Sequence, residues 1–93
     1  MTQTVERTSR GSGTALGSPW KVIVLNDNHN TFEGVAAALS RVLPNVTYEQ
    51  GRRIADRIHN TGRAIVWSGH RELAELYWTG LKESGLTMAP LEE

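Results

Sequence analysis

Apolar and polar positions change period several times along this chain, and each change marks an element. Trp20-Lys21-Val22-Ile23-Val24-Leu25 is β-branched and nearly all apolar, which suits a buried strand. Asn26-Asp27-Asn28-His29-Asn30-Thr31 follows. Short polar side chains of this kind bond their own backbone and make turns. From there Phe32, Val35, Ala36, Leu39, Val42 and Leu43 fall at helical spacing on one face, so a helix is predicted. Asn30 and Glu33 have the spacing of a capping box at its start, and Pro44 stops it. Thr47 and Gln50 form a second such pair, opening a helix whose apolar stripe is Ile54, Ala55 and Ile58 and whose C′ position is Gly62. Gly51 should weaken that helix by roughly 1 kcal/mol relative to alanine.

Arg63 to Trp67 reads as a short strand, and Ser68-Gly69 turns into a third helix with Leu73, Leu76, Tyr77 and Leu81 on its inner face. Gly85 ends that helix. Leu86 to Leu91 predicts a last strand at a sheet edge, because Pro90 has no N–H to give a central ladder. The order β-α-α-β-α-β predicts an α+β fold, a small three-stranded antiparallel sheet packed against three helices. Ahead of this core, expected over residues 19–93, residues 1–18 are rich in Ser, Thr and Gly with only scattered apolar positions. Such a segment cannot bury enough surface to offset its ordering entropy, so a disordered tail is predicted.

Composition narrows the class. Ninety-three residues make one domain at most, and a domain this small buries only about 60% of its unfolded surface. Ten Lys and Arg balance ten Asp and Glu, so no bulk field draws the chain to nucleic acid or anionic lipid. Arg52, Arg53 and Arg57, close together on the second helix, read as a solvated face. The absence of cysteine excludes disulfides, thiol catalysis and cysteine-bound zinc, and fits a reducing cytoplasm. The sequence shows neither the apolar run of a signal peptide nor a stretch long enough to span a bilayer. No cofactor or metal is implied. Asp27-x-His29 has only a loose ligand spacing, and no serine stands in a recognisable nucleophile context, so an enzyme is not expected.

Two stretches carry a resemblance. Trp20-Lys21-Val22-Ile23-Val24-Leu25-Asn26-Asp27 resembles the opening strand of the ClpS family, which runs into an Asn-Asp pair, a short polar turn and a helix. Asn30-Thr31-Phe32-Glu33 and Val35 match a common variant of that turn. Ile58-His59-Asn60-Thr61-Gly62-Arg63-Ala64 resembles the family's second signature, a His three residues before Gly, then a basic residue and a strand. The resemblance covers about residues 19–91. It implies a protease adaptor that binds N-degron proteins beginning with Leu, Phe, Tyr or Trp and hands them to a Clp ATPase, ClpA or ClpC, for degradation by ClpP. A monomer is expected. The C-terminal domain of the ribosomal stalk protein shares the general fold. The alternative is a Clp-docking interaction module that has lost N-degron recognition.

The resemblance also implies a site. Asn26, Asp27 and His59 match the residues that bind the N-terminal amine, and each can accept a hydrogen bond from an ammonium. Phe32, Val35, Ala55, Ile58 and Leu86 fall at positions lining the side-chain pocket, with Asn28 and Asn30 secondary. Glu72 and Glu75 sit where ATPase docking is expected. Read without the resemblance, Asn26-Asp27-Asn28 is a turn that satisfies its own backbone, His59 a last-turn helical residue, and the apolar positions plain core. The family often has Met where Phe32 and Ala55 stand and Asp where Asn28 stands. A preference shifted towards large aromatic first residues is therefore expected.

Overall fold

The computed structural model describes residues 18–93. The predicted tail lies outside the described residues except for Ser18. The elements are β1 (Trp20–Leu25), α1 (Phe32–Val42), α2 (Tyr48–Thr61), β2 (Arg63–Gly69), α3 (Arg71–Glu83) and β3 (Thr87–Met88). The strands form one antiparallel sheet in the order β2-β1-β3. The predicted α+β order and sheet are therefore present, and the most apolar strand takes the centre. Val22, Ile23 and Val24 are no more than 1% exposed, which is why β1 shows a continuous apolar run in place of alternation. Val22 and Val24 join Leu39, Leu43, Ile58, Ala74, Leu81 and Leu86 in the core.

Both ends of α2 follow from its sequence. Gln50 N–H donates to Thr47 Oγ1 at 3.1 Å and Thr47 N–H donates to Gln50 Oε1 at 2.9 Å, completing the capping box. Gly62 closes the helix at φ 92°, a left-handed conformation that favours glycine. Gly51 has a use that outweighs its helix penalty: a Cβ placed there would lie 2.6 Å from the Ala36 carbonyl oxygen. The glycine lets α1 and α2 touch backbone to backbone.

Three local expectations are corrected. The cap of α1 is Thr31, whose Oγ1 accepts from Gly34 N–H at 2.9 Å; Asn30 is engaged elsewhere, so no Asn30–Glu33 box forms. On α3 the inward residues are Ala74 and Leu81 with Tyr77 and Trp78 part-buried, while Leu73 is 42% and Leu76 62% exposed. The bulky Tyr77 and Trp78 share the inner face with Ala74 and Leu81, which leaves Leu73 and Leu76 outside. The last strand is shorter than expected. Only Thr87 and Met88 pair with β1, and the chain meets it again through Ala89 N–H to Ile23 O (3.1 Å) and Lys21 N–H to Glu92 O (2.6 Å). Pro90, with no donor, falls in the gap.

Candidate functional site

Where β1 ends, the chain enters a turn organised by one carboxylate. Asp27 Oδ1 accepts from His29 N–H at 2.9 Å and Asn30 N–H at 2.8 Å. Its Oδ2 accepts from Asn30 Nδ2 at 2.8 Å and from the Thr87 hydroxyl at 2.6 Å. A carboxylate offers about four acceptor sites, and here all are taken. The Asn30 amide, then the Thr87 hydroxyl, with further bonds from the Asn30 side chain and His29 amide, hold the carboxyl well below the usual carboxylate range, outweighing the opposing effect of partial burial. Asn30 Nδ2 also donates to Gly85 O at 2.9 Å. The turn is thereby tied to the α3–β3 junction, far away in sequence.

A second tie sets the other side. Asn26 N–H donates to Gly62 O at 2.9 Å, and Leu25 pairs with Arg63 across the sheet. The end of β1 therefore lies against the C-terminus of α2, one turn beyond His59. Between these ties opens a pocket of about 300 Å³, at the small end of ligand sites and suited to one side chain. Every amine-binding and pocket candidate named from sequence lines it, as do Asn28 and Asn30. Its apolar part is Phe32, Val35, Ala55, Ile58 and Leu86, of which Ala55, Ile58 and Leu86 are at most 5% exposed. Its polar rim is Asn26, Asn28 and His59, all exposed, with Asp27 and Asn30 half-buried.

Sequence reasoning missed Val24, Leu25, Thr31 and Thr87 in the lining. Thr87 is the important omission, since it bonds Asp27 across a separation of 60 residues; a threonine opening an edge strand carries no sequence signal of that. The solvent-exposed Glu72 and Glu75 lie on α3 and do not line the pocket. Glu75 accepts from Arg71 at 3.1 Å one turn away.

An apolar cleft with an acceptor-rich rim and a fixed negative charge suits a ligand with an apolar body and a donor-rich cationic end. Fold and pocket together define a small α+β binding domain. The family described as ATP-dependent Clp protease adaptor protein ClpS matches residues 16–92. The chain is 52% identical to the ATP-dependent Clp protease adapter protein ClpS of Thermosynechococcus vestitus over 73 residues, 78% of each chain. It is 49% identical to the protein of the same name from a Nostoc species, over 78% of this chain and 75% of that one. Among solved structures, Agrobacterium tumefaciens ClpS2 bound to L-phenylalaninamide superposes with a TM-score of 0.69 at 30% identity, covering 80% of this chain and 96% of that one. The protein belongs to the ClpS family: it is an adaptor of the Clp protease, and not an enzyme.

Proposed function

We propose that the pocket holds the first residue of an N-degron protein, Leu, Phe, Tyr or Trp, and that the chain delivers such proteins to a Clp ATPase, ClpA or ClpC, coupled to ClpP. The observation that carries the reading is the meeting of Asn26, Asp27 and His59 at the rim of an apolar cleft. A free α-ammonium, with pKa near 7.7–8, is mostly charged at neutral pH and has three donors. Asn26 Oδ1 and the unprotonated His59 nitrogen accept from it. Asp27 acts differently from its neighbours. With its lone pairs occupied by the turn, it supplies a negative field and holds the rim in shape. The first side chain enters among Val35, Ala55, Ile58 and Leu86, where burying a Leu or Phe contributes about 1.5–3 kcal/mol. The small Ala55 and the Phe32 ring favour large aromatic first residues.

The ligand of the Agrobacterium relative, L-phenylalaninamide, joins a free α-amine to a benzyl side chain and a carboxamide. It therefore has the chemistry of a peptide's first residue, which supports this reading. For delivery, the core over residues 19–93 docks as a monomer through the α3 face bearing Glu72 and Glu75, where Leu76 is also exposed. The tail over residues 1–18 feeds the ATPase, since an extended segment of that length reaches at most roughly 60 Å. The work takes place in the cytoplasm.

The decisive test is fluorescence-polarisation titration with two Phe-initiated peptides, identical but for N-acetylation. The free amine binds and the acetylated peptide does not. Equal binding refutes the recognition of a first residue.

A further inference from the structure

Phe32 is the wall between two concavities. It lines the pocket described above and also a shallower outer groove formed with Glu49, Arg52, Arg53 and Asp56. The Arg52 guanidinium lies over the Phe32 ring, 5.7 Å from its centroid, within cation–π range. Arg52 lines the outer groove and not the inner pocket, so the ring stands between the cation and the space that receives a ligand. Phe32 is the first residue of α1 and only half-buried. Half-burial leaves part of the ring without packing partners, and an aromatic side chain has more than one staggered well to choose from.

We propose that Arg52 is a positioning residue that sets the selectivity of the pocket by holding the Phe32 ring as its outer wall. The proposal rests on the first-residue reading above and concerns the same site. Arg52 does not touch the first residue; it acts through the ring. Losing the cation frees the ring to leave the wall. A large flat aromatic side chain, which needs that wall for ring contact, then suffers more than the smaller Leu. Arg53 lines the same outer groove without stacking on the ring, and serves as the control.

Two readouts separate the ring contact from ligand recognition. Phe32 is the sole phenylalanine of the chain, so 4-fluorophenylalanine labelling gives a single fluorine resonance from the ring. That resonance moves in Arg52→Ala, returns towards the wild-type position in Arg52→Lys, and stays in place in Arg53→Ala. In peptide titrations Arg52→Ala weakens Phe-initiated binding about 2- to 5-fold, the span expected for an exposed cation–π contact. Leu-initiated binding changes less, Arg52→Lys recovers most of the loss, and thermal melting is unchanged. In a Phe32→Leu background the Arg52→Ala effect disappears. An unmoved resonance overturns the proposal, and so does an Arg52→Ala loss that persists undiminished without the ring, which would mean direct contact with the peptide. If the wild-type protein binds no free-amine peptide while the resonance still follows Arg52, the first-residue reading fails and the claim of selectivity fails with it; the ring contact itself then stands.

Discussion

Replacing Asp27 by Asn is nearly isosteric and removes one charge. At neutral pH its amide oxygen can still accept from the His29 and Asn30 backbone, as Asp27 Oδ1 does. Its NH₂ cannot accept from Asn30 Nδ2 or from the Thr87 hydroxyl, which the carboxylate's other oxygen now does at 2.8 and 2.6 Å. The Thr87 hydroxyl can rotate to accept, whereas Asn30 Nδ2 is left facing another donor. A hydrogen bond to a charged group contributes about 1.5–3 kcal/mol and a neutral one about 1. Allowing for solvent screening at a half-buried site, the variant should lose about 2 kcal/mol, a large share of the stability of so small a domain. The pH dependence has a definite sign. The folded carboxyl titrates below its usual range, and the unfolded one near 3.9. Between those values the unfolded chain binds more protons, so stability rises with pH there and levels off above about 5. The advantage of the wild type over Asp27→Asn is thus complete at pH 7 and is lost as pH falls through the folded value. Urea denaturation followed by fluorescence of the three tryptophans, at pH 7 and in steps down to pH 2.5, measures it. A difference under 0.5 kcal/mol at pH 7, or one unchanged by acid, would refute the account of the turn.

Other outcomes follow from the same geometry. Ala55→Met places a long side chain in the floor of the pocket and should weaken Phe- and Trp-initiated peptides about 10-fold, by overpacking, with a smaller loss for Leu; tighter binding of Leu than Phe by the unmodified protein would already refute the aromatic preference. Gly51→Ala gains about 1 kcal/mol of helix propensity but drives a Cβ to 2.6 Å from the Ala36 oxygen, so the net change should be a loss of about 1–2 kcal/mol with weaker peptide binding. A stabilised Gly51→Ala variant would show that α1 and α2 separate freely. Deleting residues 1–18 should leave peptide affinity intact while abolishing degradation in a reconstituted Clp system, and undiminished degradation would remove the tail from delivery.

What could be read from sequence divides by the range of the interaction. The bounds of β1, the Thr47–Gln50 box and the Gly62 terminus depend on residues within four positions of one another, and each appears as expected. At the start of α1, the spacing of Asn30 and Glu33 points to Asn30 as the cap, but the cap is Thr31. The choice fell to Thr31 because Asn30 is claimed by Asp27 and Gly85, a partner 55 residues away. On α3 the expected inner face is right at Tyr77 and Leu81 and wrong at Leu73 and Leu76: Tyr77 packs edge-on against Trp67 with ring centroids 4.9 Å apart, a contact across the fold that helical spacing does not encode. In the pocket, the local motifs around Asn26 and His59 marked residue types. Their convergence depends on the Asn26–Gly62 bond and the pairing of β1 with β2, which no local pattern encodes.

The backbone contact at Gly51 also constrains what variation at this site can do. Phe32 and Val35 stand on one of the two touching helices, and Ala55 and Ile58 on the other. With the two main chains already abutting, the helices act as calliper jaws locked at one gap. On the proposed reading, new ligand preferences arise by exchanging side chains such as those at positions 32 and 55, since the jaws themselves have no room to close.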